Sequence, residues 1–258
     1  MYNVTDEYKE LIQAPVRYTG ISGAVRLKSG TVIPLDDGNV DSGSLSIVRK
    51  LNGKGDFRPG GVYSSYLSAR LRGFAEKTSD LDGAVIRLNY LLYHDSGMDR
   101  ATAEVVPLGR FYVDGSQIKR RNDVVTIKAA DGLMLFDVPA TARSGTLYEL
   151  VCGACQAAKV DFGMTEEEFE ALPNATMNAA VNTSRIQTEH DLLMYVALAT
   201  CSFAKMTRQY SRLEFVPLTC QKNSVGVITP VREIDGNIRF STDFSDDVTR
   251  ILKLVMRR

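Results

Sequence analysis

Tryptophan is absent from this 258-residue chain, histidine occurs twice and cysteine four times. Each scarcity narrows the chemistry. The missing tryptophan argues against a carbohydrate-stacking platform, although 11 tyrosines can supply rings instead. Lys plus Arg balances Asp plus Glu at 31 each. A zero balance gives no general attraction to nucleic acid or to an anionic membrane. No apolar run approaches the ~18 residues that a membrane-spanning helix needs. The opening, MYNVTDEYKELIQAP, carries early acidic residues and no apolar stretch of the secretion-signal kind. The expectation is synthesis in a cytoplasm, with cysteines kept as thiols. Phosphate-cradling and dinucleotide-binding glycine patterns, tandem repeats and low-complexity segments are all missing.

Turn signals are plentiful. Asp-Gly occurs at 37–38, 82–83, 114–115, 131–132 and 235–236, and Asn52-Gly53 is a sixth pair of the same kind. Such pairs tolerate the positive φ of tight hairpin turns. Between them apolar and polar residues alternate with period two: Leu45 and Ile47; Leu67, Ala69 and Leu71; Ile86, Leu88 and Tyr90; Val125, Ile127 and Ala129. One wet and one dry face per strand is the mark of antiparallel sheets. The pattern predicts an antiparallel β-barrel or sandwich over 17–137, entered through a short helix at about 5–13.

The period then changes. Thr146 and Glu149 have capping-box spacing, and Leu147, Leu150, Val151, Ala154, Cys155 and Ala158 follow at helical intervals. This predicts a helix over 145–159. Thr165 with Glu168 opens a short helix ending at Pro173-Asn174, and Thr188 with Asp191 opens a third, running through Leu192, Tyr195, Val196 and Ala199. Strand alternation returns around Phe203, Leu213 and Phe215, with further strands expected beside Asp235-Gly236 and at 248–256. The fold class is therefore α+β: antiparallel, barrel-like β units with an intervening group of short helices. The expected division is a barrel-like domain over 1–140, a helical or mixed segment over 141–205, and a β-rich continuation over 206–258.

Few residues look chemical. Cys152-x-x-Cys155 has metal-site spacing, but Cys201 and Cys220 are single, and zinc needs four converging ligands in a structural site. The pair lies inside a helix rather than at its N-terminus, where a dipole would activate a thiol. Small buried hydrophobes are the plainer reading. His94 sits in a polar turn, and His190 in the first turn of the third helix. Glu166, Glu167 and Glu168 favour the positive end of a helix and diverge too much to flank one glycosidic bond. Lys119, Arg120 and Arg121 read as solvated surface at a turn. No catalytic, cofactor-binding or metal-ligating residue is assigned, and no cofactor is expected. Two alternatives stand beside this: a thiol- or zinc-dependent small enzyme using Cys152, Cys155 and His190, and a monomeric carbohydrate- or receptor-binding module.

One stretch reaches further. Val-Pro-Leu-Gly-x-Phe-Tyr-Val at 106–113, followed by Lys-Ala-Ala-Asp-Gly at 128–132 and Phe-Asp at 136–137, resembles the N-terminal region of tail-tip (baseplate) hub proteins of tailed phages and prophages, of the tail-associated-lysin type. The likeness extends to Gly-Thr-x-Ile-Pro-Leu at 30–35, Ser-Gly-Ser-Leu-Ser-Ile at 42–47, FGMTEEEFEALPN at 162–174 and DLLMYVALATCSFA at 191–204. The resemblance implies a virion structural protein at the tail tip, a homotrimeric ring of barrel-like domains. It would join the tail tube to a distal spike or to receptor-binding or lytic parts. The implied partners are further copies of the chain, distal-tail or tail-tube proteins, the tape-measure protein and the distal spike, with no nucleic acid and no membrane. It carries over no catalytic residue, and it implies a short hub or a hub without its downstream part.

Overall fold

A computed structural model describes residues 4–41, 43–49 and 60–218. The expectations for Asn52-Gly53, Cys220, Asp235-Gly236 and 248–256 lie outside the described residues.

Helix α1 (Asp6–Gln13) is capped by Thr5, whose Oγ1 accepts from the Tyr8 N–H, and it buries none of its residues. An antiparallel sheet follows: β1 (Tyr18–Arg26), β2 (Val32–Asp36), β3 (Ser46–Val48), β4 (Tyr66–Arg72), β5 (Val85–Tyr93), β6 (Glu104–Val113), β7 (Lys119–Arg121) and β8 (Val124–Ala130). The lateral order is β2-β1-β5-β6-β8-β4-β3, with β7 also on β8. One end of this order is tied by the chain itself to the strand next to the other end. After pairing with β1, the chain leaving β2 crosses to β4, where the Asp41 N–H donates to Arg70 O at 2.9 Å and the Arg72 N–H to Asn39 O at 2.8 Å. The sheet is thereby curled, with a short bridge where a barrel would have a full ladder.

Alternation puts Leu67, Ala69 and Leu71 of β4 and Val125, Ile127 and Ala129 of β8 inside, beside Val25, Leu35, Ile86, Leu88, Phe111 and Val113. Two glycines make the curl possible. A Cβ on Gly23 would lie 2.1 Å from the Arg87 carbonyl oxygen across the β1–β5 ladder. Gly109 adopts φ +140° beside the bulge at Leu88/Asn89, which re-aims β6.

Most Asp-Gly pairs work differently from the hairpin expectation. Only the glycine at 83 takes a positive φ among the four described pairs, whereas Asp114 and Asp131 cap 3-10 turns at Gly115–Gln117 and Gly132–Phe136. In each, the aspartate oxygen accepts the N–H two residues on, so the side chain stabilises the turn without left-handed backbone. Lys119, Arg120 and Arg121 form a strand instead of a turn and are all exposed.

A second core follows, built from β9 (Ser144–Thr146), α2 (Leu147–Ala158), α3 (Glu166–Glu170), β10 (Asn178–Ala180), α4 (Glu189–Ala199), β11 (Ser202–Met206) and β12 (Leu213–Pro217). All three capping boxes form, at Thr146/Glu149, Thr165/Glu168 and Thr188/Asp191. Phe169 is fully buried, with Tyr148, Phe162 and Phe215 rings around it at 5.6 to 5.9 Å, the Phe215 contact edge-on. Val62, ahead of β4, also belongs to this core, and the Ala204 N–H donates to Gly61 O at 3.0 Å. Leu133 and Phe136, from the turn after β8, plug it from the side of the large sheet. On β11, Ala204 is buried and Phe203 half-exposed, the reverse of what bulk alone suggests.

Candidate functional site

The cysteine pair is a pair of held thiols. Cys155 is buried on the inner face of α2, and burial pushes its thiol up to about 12, with Cys152 and the carboxylates of Asp161 and Glu189 adding to the rise. Cys152 is half-buried and also raised, first by burial and against the opposing effect of a hydrogen bond with Tyr148. A nucleophile or metal ligand needs the thiolate, and both environments oppose it. Cys201 is half-buried and follows α4 with φ +47°.

The ring of His190 points to the β3–β4 connection, its Nε2 lying 3.1 Å from Val62 O, a contact in which the ring nitrogen donates. Glu166 and Glu167 are exposed, and Glu168 spends its carboxylate on the Thr165 N–H at 2.8 Å.

The helical unit holds a charged centre with no signal in the sequence. Glu189, the first residue of α4, is fully buried, and Arg143 grips it with two hydrogen bonds, Nη1 to Oε1 at 2.7 Å and Nη2 to Oε2 at 2.6 Å. Arg143 Nη2 also donates to Leu150 O at 2.9 Å, and the Thr141 N–H donates to Glu189 at 3.3 Å. The pair therefore joins the 141–143 segment, the middle of α2 and the start of α4. A bidentate, buried geometry of this kind fixes orientation more than it adds stability.

That orientation decides what α4 shows to solvent. The inner face carries Leu192, Leu193, Val196 and Ala197. Met194, Tyr195 and Leu198 are left outside at 44%, 53% and 52% exposure, although helices with apolar residues all round are normally covered. They line a groove of about 470 Å³ with Gly60, Arg185, Gln187 and Asp191. A second groove, of about 530 Å³, lies on the outside of the sheet among Val48, Tyr66, Gln117 and Met134. No helix among the described residues is long and apolar enough to cross a membrane.

Among known proteins, no family model matches the chain, and no curated protein matches it. Among solved structures, the chain is similar to a chain of the virion of a native gene transfer agent particle, with a TM-score of 0.33 and 15% identity. The match covers 49% of this chain and 44% of that one.

Proposed function

We propose that this chain is a non-catalytic structural protein of a phage-like particle, a tail-tip hub whose copies assemble into a ring between the tail tube and the distal parts. The observation that carries the reading is the outward apolar row Met194, Tyr195 and Leu198 on α4, beside its groove. Contiguous apolar exposure of this kind marks a protein–protein contact. Two further features support it. The sequence resemblance to hub N-terminal regions runs in order along most of 1–216, and the thiols that an enzyme would use are held protonated. Near-zero net charge suits the close packing of like subunits. A ring requires two different faces per subunit, and the α4 row and the exposed outer groove at Val48 and Tyr66 are two such faces. The proposed division is a barrel-like body that carries the ring and a helical module that carries the contact.

Native mass spectrometry of the full chain over a concentration series, with Leu198→Asp beside it, tests this. The expected result is a trimer for the parent chain and a monomer for the variant. A chain that stays monomeric at every concentration, or a trimer indifferent to Leu198→Asp, overturns the assignment of α4 as the contact.

A further inference from the structure

We propose that Glu7, His94 and Glu104 bind one divalent transition-metal cation, and that the ion fastens α1 to the large sheet. The three residues come from separate elements: Glu7 from the first turn of α1, His94 from just beyond β5, and Glu104 from the first position of β6. Glu104 pairs with Leu92 in the β5–β6 ladder, which brings the strand start beside His94. One ligand atom from each residue lies within 4.8 Å of the other two, and His94 Nδ1 stands 3.6 Å from a Glu7 oxygen. Ligands about 2.0–2.2 Å from one ion stand roughly 3–4 Å apart, so a small side-chain contraction closes the set.

Charge points the same way. Glu7 and Glu104 are two carboxylates at close range, and among the described residues neither has a Lys or Arg partner. The other ion pairs of this surface, Lys9 with Asp6 and Arg100 with Asp36, lie elsewhere. Like charges so placed are unfavourable until a cation enters. An imidazole nitrogen among the donors selects zinc and its neighbours over magnesium or calcium, with water filling the open positions.

The helix has a use for such an ion. None of the α1 residues is fully buried; its cap residue Thr5 donates from Oγ1 to Glu104 at 2.7 Å, and Glu7 stands 3.6 Å from His94. A cation held by Glu7 on the helix and by His94 and Glu104 on the sheet adds a directional attachment to the half-buried packing of Tyr8, Leu11 and Ile12. This inference is independent of the hub assignment.

The test is calorimetric titration of the chelator-stripped full chain with Zn²⁺, with excess Mg²⁺ present, repeated on His94→Ala and Glu104→Gln. The glutamine keeps an acceptor for Thr5. The expected result is one ion per parent chain, weakened about tenfold or more in each variant. Amide exchange over residues 6–13 should slow on Zn²⁺ addition in the parent and not in the variants. Binding of unchanged strength in His94→Ala would place the ion elsewhere, on the cysteines for example, and overturn the site. Absence of stoichiometric binding overturns it outright, and stoichiometric binding that leaves the 6–13 amides unchanged overturns the fastening role.

Discussion

The sheet core and the helical core solve the burial of backbone in different ways. Every buried polar or charged residue among those described, namely Asp131, Glu189, Thr200, Ser202 and Ser211, lies after β8, the last strand of the large sheet. The inner side of the sheet is apolar because its ladders satisfy N–H and C=O groups from neighbour to neighbour. The helical unit buries helix ends, which leave backbone groups without partners, and so it must bring polar side chains inside. Thr200 Oγ1 meets the Val196 carbonyl at the end of α4, and Glu189 sits at its start. A sheet-built core is tolerant of its own chemistry and intolerant of its geometry. The helix-built core is the reverse.

That contrast is breakable. In the large sheet, Gly23→Ala forces a Cβ into the Arg87 carbonyl, and the cost should be about 3 kcal/mol or more, read by urea denaturation. Amide exchange should rise along β1 and β5 while α2 and α4 keep their protection. In the helical unit, Glu189→Ala strands the Arg143 guanidinium and should cost about 3–5 kcal/mol, with exchange rising in α2 and α4 and little change in β4 and β8. If both variants melt both regions equally, the two cores form a single cooperative unit and the contrast is one of chemistry alone. Thr146→Ala removes one capping box and should cost about 1 kcal/mol, a smaller loss confined to the helical unit.

The smallest effect is one of pH. The Cys155 thiol rises from 9.0 to about 12 in the fold, so the folded chain keeps a proton that the unfolded chain loses. Its contribution to stability is complete below about pH 9 and declines as pH climbs from there toward 12. Iodoacetamide at pH 8 should accordingly leave Cys155 unmodified in the native chain and modify it after unfolding, as counted by mass.

What was legible in the sequence was what is local. The three capping boxes need only four residues each, and all formed at their expected positions. Strand alternation at Leu67–Leu71 and Val125–Ala129 reported the dry face because one side of each strand is wet. Longer connections escaped. Arg143 and Glu189 are 46 positions apart, and nothing near either residue marks it as a partner. Glu7, His94 and Glu104 meet only because β5 and β6 are adjacent and α1 folds back onto them. The phase of α4 is not legible because its apolar residues surround the helix, so periodicity alone does not choose the buried side. The Asp-Gly pairs were read as hairpin corners, whereas at 114 and 131 the aspartate side chain had a nearer use as a cap.

The buried grip of Arg143 on Glu189 has a consequence for assembly. A helix greasy on every side could settle at many rotations, each showing a different row. Because its first residue is clamped at two points, α4 has a set dial position, and Met194, Tyr195 and Leu198 face outward before any partner arrives. A partner then meets a finished surface and need not supply the free energy of ordering it.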